Sequence, residues 1–312
     1  DCRGKMTSTK VLTNYAAPEQ AILDGMDQVL AEAGIGYGDL EIVIHGTTLA
    51  TNALIERRGA KVAFVTTEGF RDILHIGRHK RPYNFSLHFD VPWQSQPLVK
   101  RRNRISVAER ILPPTGEVVT PLDEAAVRAA CAVFKKRGIN SVVIGFMFAF
   151  LNDAHELRAK EIVLEEMPDA YVTLSSEVAK VMREYERFST AAMNSYVGPK
   201  TAFYLRDLDS RLREAGVTSK LRIMQSNGGV STVEACAKRP IRILMSGPSI
   251  TAFQSAARPE TISGCATAVS RMVSASAVVP YPMRSIPEAA CIWSMDALKA
   301  GSSSHGSRNP GV

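Results

Sequence analysis

The chain has 312 residues, 45% hydrophobic and 22% charged, which suits a folded protein with a sizeable core and room for two domains. No run of eighteen or more apolar residues occurs, and the opening Asp1-Cys2-Arg3-Gly4-Lys5-Met6 lacks the apolar centre of a signal peptide, so neither a membrane span nor export is expected. Net charge is +7; five scattered cysteines (2, 131, 236, 265, 291), with no CxxC or zinc-finger spacing, point to a reduced cytoplasmic protein without a metal centre.

Lys10-Val11-Leu12-Thr13 reads as the end of a strand. Residues 18–33 then show helical spacing, with Ile22, Met26, Val29 and Leu30 on one face and Gly34 and Gly36 closing the helix. A strand over 41–44, a helix through Leu54 and a strand over 62–66 follow, and this alternation argues for an α/β domain with a layered core. Residues 81–114, punctuated by Pro82, Pro92, Pro97, Pro113 and Pro114, read as a long loop or small insertion.

Basic clusters stand at Arg78-His79-Lys80-Arg81 and Lys100-Arg101-Arg102-Asn103-Arg104. The neighbouring Tyr83, Phe85, Phe89 and Trp93 lie in the proline-rich stretch and not in an RNA-binding motif. These charges therefore read as a solvated or intersubunit face, with no nucleic acid as partner.

A helix opens at Thr120-Pro121-Leu122-Asp123-Glu124, runs through Phe134 and ends at Gly138. Residues 141–148 form a continuous apolar strand of the kind buried on both faces. A helix over 154–166 and a strand over 171–175 come next, then helical spacing over 184–215, interrupted around Gly198-Pro199, and a short strand over 221–225.

Three places carry candidate chemistry. The apolar run Ile42-Val43-Ile44 ends in His45-Gly46-Thr47-Thr48 and passes into a helix through Thr51 and Asn52. Helix starts present unpartnered N–H groups to anions and carbonyl oxygens, yet the threonines could equally serve as caps and His45 as a core residue. Arg183, Glu184, Glu186 and Arg187 crowd one helix start, which by spacing alone reads as a charged face of mutual ion pairs. Ser226-Asn227-Gly228-Gly229 follows a strand, and Asn-Gly-Gly gives positive-φ turns where backbone can approach a ligand. Ser246-Gly247-Pro248 is a weaker signal of the same kind.

The run HGTTLATNALIERRGAKVAFVTTEGFRDILHIGR (His45 to Arg78) resembles the amino-terminal part of the ATP-dependent hydantoinase/5-oxoprolinase family, A-subunit type. Further matches come in family order: Glu109-Arg110 with Gly116-Glu117-Val118, SSEV (Ser175 to Val178), REYERFSTAAMNSYVGP (Arg183 to Pro199), QSNGGV (Gln225 to Val230) and MSGP (Met245 to Pro248). The resemblance implies an incomplete actin-like ATPase (ribonuclease H-like) α/β lobe over 1–180. The start of a second, core domain would occupy 181–250. Residues 251–312, rich in Ser and Ala, would be an aberrant and poorly ordered tail, left by a frameshift or mis-splicing or else a lineage-specific extension.

In complete relatives the resemblance implies ATP and Mg²⁺, a cyclic-amide substrate, and a B-type subunit or fused second half as partner. His45 would polarise or protonate a substrate oxygen, titrating near neutrality, with Thr47, Thr48 and Asn52 as hydrogen-bonding partners. Arg78, Arg183, Glu186 and Arg187 would face the substrate, and Asn227, Gly228 and Gly229 would bring backbone close to it. The family's two glycine-threonine phosphate loops are not found, since Gly-Gly occurs only at Gly228-Gly229. One donor to a developing charge is worth ~2.7–4 kcal/mol, so tight Mg-ATP binding is not expected of this chain. An inactive piece that only binds a partner subunit, and a ketone carboxylase, are the competing expectations.

Overall fold

The computed structural model describes residues 7–12, 17–78, 85, 91–246 and 272–273. In chain order the first elements are α1 (Pro18–Ala33), β1 (Ile42–His45), α2 (Leu49–Ile55), β2 (Val62–Thr67), α3 (Ile73–Ile76), α4 (Pro92–Ser95), β3 (Arg104–Val107), β4 (Arg110–Leu112) and β5 (Glu117–Thr120). They continue with α5 (Glu124–Lys136), β6 (Ser141–Gly145), α6 (Ala154–Glu166), β7 (Tyr171–Leu174), α7 (Ser175–Val178) and α8 (Glu184–Glu214). The last are β8 (Leu221–Met224), β9 (Val230–Thr232), α9 (Val233–Lys238) and β10 (Met272–Val273).

Two compact units interleave along the chain. The first takes the described residues up to Thr47, Gly216–Val230 and those from Met245 onward; the second takes Thr48–Ala215 and Ser231–Leu244. Thr13, His79-Lys80-Arg81, Tyr83, Phe89, Gly247-Pro248 and, apart from β10, the expected tail lie outside the described residues.

In the first unit, α1 buries Ile22, Met26, Val29 and Leu30, the four residues its spacing singles out. Pro18 suits the first turn, where an N–H would lack a partner, and Gly34 ends the helix at φ +66°. The sheet order is β10-β1-β8-β9, with β1 parallel to β8 through Val43↔Leu221, Ile44↔Arg222 and His45↔Ile223. Residues 10–12 form no strand.

The second unit is built on an all-parallel sheet in the order β3-β2-β6-β7. Alternation along its strands explains why both faces are buried. Ala63 and Val65 of β2, Val142 and Ile144 of β6, and Leu174 of β7 join the core with Val127, Cys131 and Phe134 of α5 and Ile162 and Val163 of α6. The intervening residues meet α8: Phe64 packs edge-on against Phe188 with centroids 5.2 Å apart, and Thr173 Oγ1 lies 2.9 Å from Ser195 Oγ. β6 is buried throughout, as its apolar run requires.

Two expectations are corrected here. The stretch 81–114 is not all loop, because β3 pairs with β2 from Phe64↔Arg104 to Thr67↔Val107. α8 also runs unbroken through Gly198-Pro199. Proline removes one helical donor and strands the carbonyl four residues back, but Ser141 Oγ donates to that Ser195 carbonyl at 2.8 Å. The next carbonyl, of Tyr196, accepts from Ala60 N at 2.8 Å. Gly198 leaves room for the ring of Tyr171, whose Cε1 would stand 2.3 Å from an added Cβ.

Candidate functional site

In the first unit, two parallel neighbouring strands end at one edge of the sheet, and each runs into a polar turn. β1 ends at His45 and continues as Gly46-Thr47; β8 ends at Met224 and continues as Gln225-Ser226-Asn227-Gly228-Gly229. The carboxyl ends of parallel strands are where α/β sheets characteristically receive ligands. A third segment ties into both turns. Ser246 Oγ accepts from Thr47 N at 3.2 Å and donates to Thr47 O at 2.7 Å, while Met245 N donates to Ser226 Oγ at 3.0 Å. Thr47, Ser226 and the Met245-Ser246 segment, one from each of three motifs, are therefore tied together at one place, with Ser246 fully buried.

The second turn has the conformation its sequence calls for. Gly228 sits at φ +84°, Gly228 N donates to Gln225 O at 3.1 Å, and Gln225 N donates to Gly229 O at 2.7 Å. Asn227 Oδ1 accepts from Gly229 N at 3.1 Å. No heavy atom lies within 4 Å of where a Gly228 Cβ would stand, so the backbone there is open to an approaching group.

His45 is 6% exposed. Burial pushes its pKa down to about 4, since the imidazolium would lose its hydration. The expectation that it titrates near neutrality is corrected: at neutral pH the ring is uncharged and fitted to hydrogen bonding rather than to storing a proton. Thr47, also of this unit, is held through its backbone by Ser246.

The remaining candidates belong to the second unit. Thr48 occupies the start of α2 without capping it through its side chain; its Oγ1 instead accepts from Asn52 Nδ2 at 3.4 Å. Thr51 Oγ1 donates to Leu244 O. Arg78 Nε donates to Glu186 Oε1 at 2.7 Å, so these two candidates neutralise each other, and the Arg78 guanidinium also lies 5.9 Å from the Tyr185 ring centre. Arg183 is exposed at the head of α8, at φ +81°.

Arg187 faces inward. It is fully buried, with Nε donating to Ser175 Oγ at 3.0 Å, Nη1 to Val181 O at 3.2 Å and Nη2 to Phe146 O at 2.7 Å. All three of its nitrogens are taken up by the chain's own oxygens, so its assignment to substrate contact is corrected to a structural one. Burial lowers its pKa, and the charge of Glu156 opposes that shift.

Sequence reasoning passed over Glu156, which organises this region. Its Oε1 accepts from Phe146 N at 3.0 Å and Ser175 Oγ at 2.5 Å; its Oε2 accepts from Ser176 N at 2.9 Å and Ser176 Oγ at 2.7 Å. Burial raises its pKa while those bonds hold it down. A parallel set joins Glu109 to Thr67 Oγ1 and, at 2.8 Å, to His155 Nδ1. The only advance signal was that SSEV and Glu109 stood among the motifs. Among the described residues no group of three or more His, Cys, Asp or Glu side chains is arranged to hold a metal ion, and no helix is long and apolar enough to cross a membrane.

Comparison with known proteins bears on what this framework is. Residues 1–167 match the model of the hydantoinase/oxoprolinase N-terminal region, and residues 187–265 match that of hydantoinase/oxoprolinase. The chain is 34% identical over 230 residues to caprolactamase subunit alpha of Pseudomonas jessenii, covering 73% of this chain and 32% of the relative. It is 30% identical over 204 residues to the acetophenone carboxylase gamma subunit of Aromatoleum aromaticum, covering 62% and 28%. With 5-oxoprolinase of Saccharomyces cerevisiae it shares 30% over 226 residues, covering 65% and 17%. The crystal structure of ATP-dependent caprolactamase from Pseudomonas jessenii superposes with a TM-score of 0.71 at 32% identity, covering 80% of this chain and 36% of that one. The chain thus spans a third or less of the length of these curated relatives. Two matching family models in sequence order, the first covering more than half of its residues, show that this chain belongs to the hydantoinase/oxoprolinase family.

Proposed function

We propose that this chain is part of an ATP-dependent cyclic-amide hydrolase, in which the edge formed by the His45, Asn227 and Ser246 turns holds the substrate's reacting carbonyl. The observation that carries this reading is the convergence of three distant polar motifs at the carboxyl ends of two adjacent parallel strands. Its support among relatives is that caprolactamase and 5-oxoprolinase are both named for ring amides.

A ring amide resists attack because resonance leaves its carbonyl carbon weakly electrophilic. ATP, when bound by the complete protein, would supply a phosphoryl group to the carbonyl oxygen; water would then add to the activated carbon, the C–N bond would break with nitrogen leaving as the amine, and a second water would release phosphate. No step through Mg-ATP is assigned to the residues described here.

What this chain contributes is positioning and hydrogen bonding. A neutral His45 can donate one N–H to a carbonyl oxygen without the cost of burying a cation. Thr47 is held in place by Ser246, and the open backbone at Gly228 admits a planar ring. Arg183, exposed at the head of α8, and Asn52 of α2 are the remaining substrate-binding candidates of the second unit. We read the fold as an actin-like ATPase lobe on the strength of its parallel sheets and its family, and the partner as a B-type subunit, since two relatives are named as subunits.

A second reading is favoured by the acetophenone carboxylase relative: the same edge could hold a ketone oxygen during carboxylation. The two are separated by assaying the full-length protein containing this segment. ATP-dependent ring opening of 5-oxoproline, hydantoin or caprolactam supports the first reading; ATP-dependent uptake of bicarbonate with acetophenone supports the second. Turnover of neither class would leave the chain as a partner-binding piece and refute both.

A further inference from the structure

The second unit gathers three guanidinium groups around one carboxylate. Asp72 accepts from Arg101 twice, from Nε at 2.9 Å and from Nη2 at 2.8 Å. Arg71 Nη2 donates to the Arg101 carbonyl at 3.0 Å. Beneath them lies Arg104, 1% exposed, with Nε and Nη2 both directed to Val99 O at 3.1 and 2.9 Å. Its remaining nitrogen, Nη1, points at Asp72 but stands 3.8 Å from Oδ1, and it has no hydrogen-bond acceptor. Arg71 Nε is likewise buried without an acceptor.

This arrangement has more positive charge than the fold uses. Arginine is always ionised, so three guanidiniums against one carboxylate leave a surplus of two positive charges. Buried donors without acceptors are rare in native proteins, and a bound anion is one way in which such donors are satisfied. Arg101, with its side chain 61% exposed, opens the cluster to solvent. The carboxylate of Asp72 is held below its ordinary range chiefly by Arg101, with smaller contributions from Arg104 and Arg71, so it stays charged.

We propose that Arg71, Arg101 and Arg104 form a binding site for the phosphate group of a small molecule. A carboxylate brings one negative charge, which Asp72 already supplies. A phosphate monoester brings nearly two, with several acceptor oxygens, and matches both the surplus charge and the unmet donors. Arg101 turns from Asp72 toward the ligand, and Asp72 then closes on Arg104 Nη1. The site lies wholly in the second unit and does not depend on the ring-opening reading.

Calorimetric titration of the 312-residue chain tests this, with inorganic phosphate, pyrophosphate and tricarballylate as probes at matched ionic strength. Saturable binding of pyrophosphate is expected, at least tenfold tighter than tricarballylate, and at least tenfold weaker in the R71Q/R101Q variant. D72N removes the resident anion and frees Arg101, so it should bind severalfold tighter than wild type. D72N decides alone should the double variant fail to fold. Absence of saturable binding by both wild type and D72N, equal affinity in the variants and wild type, or equal affinity for tricarballylate would each overturn the proposal.

Discussion

Lowering the pH should expose the state of His45 directly. Its pKa in the folded protein is about 4 against 6.5 for a free imidazole, a difference of about 2.5 units, or ~3 kcal/mol. The sign follows from which state takes the proton first. Above pH 6.5 both folded and unfolded chains are neutral at this position, and the full stability is present. As pH falls from 6.5 toward 4, the unfolded chain binds a proton that the buried ring refuses, and stability is lost; below about 4 the loss stops growing. Other groups also titrate in this range, so the informative quantity is the difference between wild type and H45Q. That difference should shift by ~3 kcal/mol between about pH 7.5 and about pH 4 in denaturant unfolding, with H45Q showing the shallower acid loss. The His45 Hε1 resonance, followed over the same range, should have its midpoint near 4. A midpoint above 6, or parallel acid profiles for the two proteins, would refute the claim that burial keeps this ring neutral.

Other consequences are as specific. S246A deletes the hydroxyl that both donates to and accepts from the Thr47 backbone, and should cost ~1–3 kcal/mol, with faster amide exchange at Thr47. E156Q weakens a carboxylate that accepts four hydrogen bonds and faces the buried Arg187, so thermal unfolding should show a loss of ~3 kcal/mol or more. R183G should act the other way, because Arg183 holds φ +81°; a rise in stability of ~1 kcal/mol by melting is expected, and an unchanged midpoint would argue against backbone strain there.

Much of the layered architecture could be read from local pattern. The apolar run at 141–148 announces a strand covered on both faces, of which residues 141–145 form β6, and the stripe of Ile22, Met26, Val29 and Leu30 announces the buried side of α1. The errors have physical causes that no local window contains. β3 begins with Arg104, a residue type that signals a surface, yet its guanidinium is directed to the Val99 carbonyl and its stem is buried. Pro199 reads as a helix break, but the hydroxyl of Ser141, far away in sequence, takes up the carbonyl it strands. Arg187 and Glu186 are neighbours on one helix start with opposite fates: one pairs with Arg78, the other is buried against Ser175 and Phe146. The candidate edge itself was visible only as motifs in order, since the bond that joins two of them links residues 199 positions apart.

The turn after β1 is proposed to act on the substrate and not merely to close a core. Its most direct test is steady-state turnover by the full-length protein containing this segment, comparing wild type with H45A on the cyclic amide it opens. A neutral ring that donates to the reacting oxygen predicts a fall in kcat of ~100-fold or more, with the fold retained. Wild-type kcat in a folded H45A protein would contradict it.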